Sequence, residues 1–366
     1  MTFYNEYLRY KDFDFDNFFQ KVTRADIMDI LQKQKITEVE FLALLSPTAA
    51  SCLEKMAQRA HQASLRHFGK AILLYTPMYL SNYCVNRCSY CSFNSDSGIK
   101  RSKLNLQEIE EEAKAIAATG LRHILILTGE DRGRTPVAYI IEAVKVLKRY
   151  FDSISIEIYP LSEEEYSQLM EVGVDGLTIY QEVYDEEVYD CVHEAGPKRN
   201  YRFRLDAPER ACRAKMRNVN IGALLGLNNW RKEAFITALH GNYLQNKYGD
   251  VEVSISLPRI RPHIGSFQNV VFVEDRDLVQ AMLALKNFLP YIGITISTRE
   301  KKEFRDHLIP LGVVKMSAGV STEVGGHTHS NGNSQFEISD TRSVGEIKKA
   351  ILAKGYQPIL KNWMHL

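Results

Sequence analysis

Eight short runs rich in aliphatic and β-branched residues recur along the chain. They fall at 71–77 (AILLYTP), 123–128 (HILILT), 152–159 (DSISIEIY), 175–180 (DGLTIY), 218–225 (NVNIGALL), 251–257 (VEVSISL), 291–297 (YIGITIS) and 312–317 (GVVKMS). Segments with apolar residues at helical spacing separate several of them: 104–120, stopped by Gly120, then 137–150, 162–173 and 275–289. Short apolar runs bounded by turn residues read as strands buried on both faces, and strands alternating with helices imply parallel pairing. Eight repeats of this unit predict an α/β fold, a (β/α)8 TIM-type barrel. Residues 1–69 read as an N-terminal helical extension, 70–329 as the barrel, and 330–366 as a short C-terminal extension. The extension opens in HSNGNSQ, a mobile turn, and continues into the helical VGEIKKAILAKG. The chain shows no internal repeat, low-complexity tract or long linker.

Bulk composition narrows the function classes. At 366 residues the chain can bury a large core, and its formal charge is +1 with 25% charged residues. No basic excess points to nucleic acid. The opening MTFYNEYLRYKDFDFD has no apolar core of a secretory signal, and the run AILLYTPMYL is about half a membrane span. The expectation is a cytoplasmic protein without nucleic-acid or membrane partners.

Three of the six cysteines fall within eight positions, C-V-N-R-C-S-Y-C, as Cys84, Cys88 and Cys91. The polar neighbours Asn86, Arg87 and Ser89 argue against core packing. Structural zinc is a second reading, but it wants four protein ligands, and Cys52, Cys191 and Cys212 stand far apart. A four-iron cluster held by only three thiolates leaves one iron open to an exogenous ligand, which suits catalysis better than electron storage. The loop directly follows the first strand, at the barrel face where such enzymes keep their active sites.

The C-x3-C-x2-C spacing, with Tyr90 before the third cysteine, resembles the radical S-adenosylmethionine superfamily. That resemblance implies a [4Fe-4S] cluster on Cys84, Cys88 and Cys91, and S-adenosylmethionine chelated at the open iron. Thr128-Gly129-Glu130, after the second strand, resembles the superfamily's GGE segment, with Thr128 in place of the first glycine. Its backbone and acid receive the cofactor's amino group. After the fourth strand, Glu182 resembles the ribose partner and Arg199 the clamp on the methionyl carboxylate, with Arg202 and Arg204 as alternatives of register. Gly222 resembles the strand-five position that presses backbone against adenine. Tyr90 completes this cofactor set.

The remaining strand ends should hold the substrate. Leu257-Pro258-Arg259-Ile260-Arg261-Pro262 follows the sixth strand, Ser297-Thr298-Arg299-Glu300 the seventh, and Met316-Ser317-Ala318-Gly319-Val320-Ser321-Thr322 closes the eighth. A planar guanidinium beside a small hydroxyl- and glycine-rich loop is a good receptor for a carboxylate, so Arg299 and Ser317 are the candidate catalytic pair. The competing expectation for Arg299 is an ion pair with Glu300 or Glu303. His327 and His329 read as polar loop residues rather than metal ligands.

Together YQEVYD, LPRIRP, STRE and SAGVSTEVGGH resemble the aromatic amino-acid lyases of the superfamily, above all the 2-iminoacetate synthases, over about residues 30–360. The resemblance implies hydrogen abstraction from L-tyrosine and Cα–Cβ cleavage to 2-iminoacetate (dehydroglycine) and p-cresol, for the thiazole of thiamine. It also implies an electron donor such as flavodoxin and a thiazole synthase subunit as partner. Related hydrogenase maturases go on to carbon monoxide and cyanide at a second cluster on C-terminal cysteines. Here no cysteine follows Cys212, so the reaction is expected to stop at dehydroglycine. A tryptophan lyase, and a non-catalytic iron–sulfur carrier or scaffold, are the alternatives.

Overall fold

A computed structural model describes residues 2–262, 267, 269–329 and 334–361. The expected turn at 329–335 lies largely outside the described residues. Eight parallel strands follow one another around a ring: β1 (Ala71–Ser81), β2 (His123–Thr128), β3 (Ser153–Glu157), β4 (Gly176–Glu182), β5 (Asn218–Ala223), β6 (Glu252–Ser256), β7 (Gly293–Ile296) and β8 (Val313–Ser317). β8 pairs back onto β1 through Leu73–Lys315, Leu74–Met316 and Tyr75–Ser317, which closes the barrel. A ninth strand, β9 (Gln357–Ile359), lies parallel to the start of β1. The eight predicted runs and the eight barrel strands coincide.

The helices start where the sequence offers caps. Asn105, Ser162 and Ser343 each open a helix with a reciprocal capping box, over Leu106–Ala118, Glu163–Glu171 and Val344–Ala353. Each carries an apolar stripe that packs on the outward residues of the strands. Ile124, Ile126, Ile154, Ile156, Leu177, Ile179, Val219, Ile221, Val253 and Ile255 form that outer layer, all nearly inaccessible to water. Burial of such side chains, at about 25 cal/mol per Å², is the main force holding helices to sheet.

The N-terminal helices, Phe3–Leu8 to Leu53–Phe68, pack outside Trp230–Lys247 and Asp275–Phe288. Phe41 stacks on Phe235 and Phe288, with ring centroids 5.7 and 4.7 Å away. Helix ends there are tied by side chains: the Gln280 amide donates to the carbonyls of Leu44 and Ser46, and Asn287 to that of Met56. Trp230–Lys247 is therefore covered on two sides, which explains its buried Glu233, Thr237 and His240. No helix among the described residues is long and apolar enough to cross a membrane.

The barrel interior is unusual in its chemistry. Such barrels are commonly filled with branched aliphatic side chains. Here the alternate strand positions are His123, Ser155, Thr178, Asn220, Ser254, Ser256, Thr295 and Lys315, nearly all of them buried. Neighbouring strands satisfy several of them: Asn220 donates to Ser256 and accepts from Ser254, and His123 Nε2 lies 3.1 Å from Ser155 Oγ, while Thr295 Oγ1 and His123 Nδ1 have no hydrogen-bond partner among the described residues. Burial, together with the Lys315 and Arg217 charges, pushes the His123 pKa well down.

Candidate active site

The C-terminal mouth of the barrel holds a cavity to which all eight strand ends contribute. Its walls include Tyr75, Pro77 and Tyr79 from β1, Leu125 and Leu127 from β2, Glu157 from β3, and Tyr180 and Glu182 from β4. Leu224, Pro258, Arg261, Arg299 and Ser317 close the ring, and Tyr90 and Cys91 of the cysteine loop form its roof.

The cysteine loop is fastened at both ends. Arg101 donates to the carbonyls of Asn82, Phe93 and Asn94, tying residues 82–101 into one unit. The pair Arg87–Cys88 forms a short antiparallel ladder with His193–Ala195. Asn86, almost wholly buried, is the hub: its amide donates to Glu130 at 2.6 Å and accepts from the backbone N–H of Lys198 at 2.9 Å. Tyr90 hydroxyl lies 2.7 Å from His193 Nε2. His193 Nδ1 sits 2.8 Å from the Tyr189 carbonyl, which can only accept, so Nδ1 carries the proton and Nε2 accepts from Tyr90. Burial holds the His193 pKa down at about 2, so the imidazole stays neutral.

Gly129 is required for this packing. A Cβ there would meet the Tyr83 carbonyl oxygen at 2.3 Å and Cys84 Cβ at 3.1 Å, so only glycine lets β2 approach the loop. Glu130 faces the loop through Asn86, and its carbonyl accepts from Val85 N–H. Thr128 Oγ1 is buried without a hydrogen-bond partner among the described residues. Gly222 also answers to packing: a Cβ there would meet the Ser256 carbonyl oxygen at 2.1 Å and the Tyr180 ring at 2.9 Å. The residue of this segment that faces the cavity is Leu224.

Burial pushes the Cys88 thiol up to about 12 and raises Cys91 as well. Cys84 and Cys91 each add to the pKa of Cys88 by like charge, so the three sulfurs share one electrostatic neighbourhood. Among the described residues no three His, Cys, Asp or Glu side chains are grouped as one metal ion requires. A four-iron cluster asks for something else, one thiolate on each of three separate irons. Three clustered thiols, a loop seated on a glycine, and an unpartnered Thr128 hydroxyl at its edge fit a cluster with an added ligand.

Glu182 stands where expected, at the end of β4, with φ +73, a left-handed conformation rare for a residue with a side chain. Lys198 Nζ donates to it at 2.8 Å and Arg204 approaches at 3.4 Å. These cations keep its pKa below the ordinary value despite burial. The carboxylate clamp is a different matter. Arg199 lies on the surface and pairs with Asp190, so the structure does not bring it to the cavity. The cations beside Glu182 are Lys198 and Arg204, with Arg204 also donating to the Tyr180 carbonyl at 2.7 Å. Residues 197–205 break into two short helical turns, and the rotation between them directs Arg204 inward and Arg199 outward.

Arg299 is enclosed by the cavity walls. Its guanidinium stacks on Phe336 at 3.5 Å and pairs with no carboxylate among the described residues. The ion pairs weighed for it go elsewhere. Glu300 meets Arg259, which also holds Asp275, and Glu303 meets Lys302. Burial pulls the Arg299 pKa down, outweighing the charges of Tyr79, Tyr180, Glu157 and Glu182 across the cavity. Ser317 Oγ accepts from Thr298 N–H at 3.1 Å, and Arg305 supports the Ser317 carbonyl from behind at 2.5 Å. His327 lies 2.9 Å from the Pro77 carbonyl through Nε2, and its backbone N–H donates to buried Glu112; Nδ1 of His329 lies beside Thr328. Both behave as polar loop residues.

Sequence reasoning missed Glu157, the last residue of β3. Its carboxylate opens on the cavity, yet protein surrounds it, and burial with the nearby Glu182 charge raises its pKa to about 7. The only available signal was a lone acid ending the run SISIE.

Comparison with known proteins places this geometry. Residues 78–239 match the Radical SAM superfamily, and residues 256–357 the Biotin and Thiamin Synthesis associated domain. The chain is 36% identical to the 2-iminoacetate synthase of Escherichia coli (strain K12), over 97% of its length and 96% of the relative's. The 2-iminoacetate synthase of Salmonella typhimurium is 37% identical over 93% of this chain and 91% of that one. In structure it resembles HydG, the FeFe-hydrogenase maturase from Carboxydothermus hydrogenoformans, with a TM-score of 0.88 and 33% identity. That match covers 94% of this chain and 82% of the maturase.

Proposed function

Since the chain belongs to the radical S-adenosylmethionine superfamily, and within it to the 2-iminoacetate synthase family, we propose that it cleaves L-tyrosine between Cα and Cβ, giving 2-iminoacetate and p-cresol. A [4Fe-4S] cluster and S-adenosylmethionine, when bound, supply the 5′-deoxyadenosyl radical. Cys84, Cys88 and Cys91 are the residues that would hold the cluster. Glu182, with Lys198 and Arg204, faces the cofactor's ribose and carboxylate; the clamp expected of Arg199 passes to Arg204. Thr128, Gly129 and Tyr90 shape the pocket edge, and Glu130 acts by holding Asn86. Gly222 serves by admitting strand β6 and Tyr180.

The observation that carries the substrate assignment is Arg299. A guanidinium enclosed in a cavity with no ion-pair partner among the described residues is costly to keep, and an incoming carboxylate relieves that cost. Ser317 accepts from Thr298 and lies against the Tyr75 hydroxyl, and its hydroxyl can turn its proton to the same carboxylate. Arg299 and Ser317 would thereby fix Cα and the amino nitrogen at one wall, the placement that abstraction at nitrogen needs. The rings of Tyr75, Tyr79 and Tyr180, with Leu125 and Leu127, supply apolar walls that limit water near a reactive intermediate. An electron donor such as flavodoxin would feed the site, and a thiazole synthase subunit would take the unstable imine in the cytoplasm.

Product analysis tests this reading. Anaerobic incubation of reconstituted protein with S-adenosylmethionine, reductant and L-tyrosine should yield 5′-deoxyadenosine, p-cresol and glyoxylate, the hydrolysis product of 2-iminoacetate. The same mixture with L-tryptophan should yield no cleaved indole product. Tryptophan cleavage with tyrosine inert would overturn the assignment.

A further inference from the structure

We propose that Glu157 receives the phenol hydroxyl of the substrate and so sets the preference for tyrosine over ring systems that lack a hydroxyl. This deepens the tyrosine reading above and rests on it.

Three observations carry the assignment. Glu157 ends β3 and lines the same cavity as Arg299, which follows β7. In a ring of eight strands closed by β8 on β1, the third and seventh stand opposite one another, so these two residues occupy facing walls. The Glu157 carboxylate also has no hydrogen-bond or ion-pair partner among the described residues. The other acid of the cavity, Glu182, is held by Lys198 and Arg204. The same cavity is walled in part by aromatic and aliphatic side chains: Tyr75, Tyr79, Leu127 and Tyr180.

The chemistry of the ligand then orders itself. Its amino and carboxylate groups share Cα, so both belong at the Arg299 wall. The side chain extends from there across the cavity, its ring against flat and apolar surfaces. At the far wall stands one hydrogen-bonding group still without a partner. An enclosed carboxyl loses solvation unless a donor replaces the water, and a phenol O–H is such a donor. Burial, then the Glu182 charge, raises the Glu157 pKa to about 7 even with Arg299, Arg204 and Lys198 nearby, so a donor reaching this carboxyl replaces solvation it has lost. An aliphatic or plain phenyl side chain would leave the carboxyl buried and unpaired, the arrangement by which polar sites reject analogues lacking a hydroxyl.

The test is binding of L-tyrosine and L-phenylalanine to the reconstituted holoenzyme with S-adenosylmethionine bound, in wild type and Glu157→Gln. Wild type should bind phenylalanine more weakly than tyrosine by about tenfold or more. Glu157→Gln should lose about tenfold in tyrosine affinity while phenylalanine shifts by less than about twofold, so the ratio collapses. Glu157→Leu should bring the ratio to one or below. Equal losses for both amino acids would overturn the proposal, as would a Glu157→Gln defect confined to S-adenosylmethionine affinity. If neither variant assembles a cluster, the wild-type ratio decides: phenylalanine bound as tightly as tyrosine would refute a phenol acceptor. The tyrosine reading fails separately, by absence of p-cresol from wild type.

Discussion

Two arginines stand six residues apart behind the seventh strand, and they live in opposite circumstances. Arg305 is wholly enclosed and both its terminal amino groups are used within the fold: one pairs with Asp340, itself inaccessible and held by Arg342, and the other supports the Ser317 carbonyl. Arg299 is enclosed too, but it faces the cavity with an aromatic ring on one side and no carboxylate beside it. The first charge is used within the fold. The second awaits a ligand. The same division runs through the acids, since Glu300 and Asp340 are paired inside the protein while Glu157 opens on the cavity. Burial alone therefore does not mark a functional charge; burial without an internal partner does.

The largest effect should come from the cysteine loop. Cys88→Ala should abolish both the cluster's visible absorption and 5′-deoxyadenosine formation, whereas Cys52→Ala, far away in the N-terminal helices, should keep both. Retention of the cluster by Cys88→Ala would break the account at its base.

Next comes the pair of arginines. Arg305→Ala strands Asp340 in the interior and should destabilise the fold by about 3–5 kcal/mol, read in denaturant unfolding. Arg299→Ala removes a charge that has no internal partner, so stability should fall little or rise. Its tyrosine affinity should drop by about 2–5 kcal/mol, and Arg299→Lys should recover little because lysine lacks the fork. If Arg299→Ala unfolded the protein as readily as Arg305→Ala, the distinction would collapse.

Acidity sharpens the contrast further. The folded-state pKa of Glu157 is raised to about 7 from an ordinary value of 4.5. The folded protein therefore binds this proton more tightly than the unfolded chain, and the resulting stability is complete below about pH 4.5. It is lost progressively as pH rises towards about 7. Glu157→Gln should flatten that part of the stability profile in ligand-free protein. An unchanged profile would mean that Glu157 has a partner after all.

The smallest effect should separate two arginines of one segment. Arg199→Ala removes an exposed pair with Asp190 and should cost well under about 1 kcal/mol, with S-adenosylmethionine binding intact. Arg204→Ala leaves Glu182 held by Lys198 alone and should weaken cofactor binding several-fold. Isothermal titration of both variants orders them, and the reverse order would restore Arg199 to the site.

Much of this was legible from residues alone. The strands showed themselves because Ile, Val and Leu alternate with small polar residues, as in NVNIGA and EVSIS, with one set under the helices and the other inside the barrel. The cysteine loop was legible because its spacing is local, and Arg299 and Ser317 because they end strands whose positions were already known. The register of this segment was not legible for a geometric reason: successive residues in a helical turn point about 100° apart, and the break between two short turns directs Arg199 outward and Arg204 inward. Glu157 was hidden by its context, since an acid ending an alternating strand looks the same whether it meets solvent or a closed cavity. Asn86, a polar residue in a polar loop, showed its role only once Glu130 and Lys198 were seen to converge on it.

The most direct test of an unpaired guanidinium awaiting a carboxylate is a comparison of L-tyrosine with tyramine on the wild-type enzyme. Tyramine keeps the ring, the hydroxyl and the amine, and lacks only the carboxylate. Losing a charge-assisted pair in this enclosed site should weaken binding by about 2–5 kcal/mol, on the order of thirtyfold or more. Tyramine should therefore bind poorly and yield little or no p-cresol under conditions that turn over tyrosine. Tyramine bound and cleaved as readily as tyrosine would contradict the account and return Arg299 to a structural role.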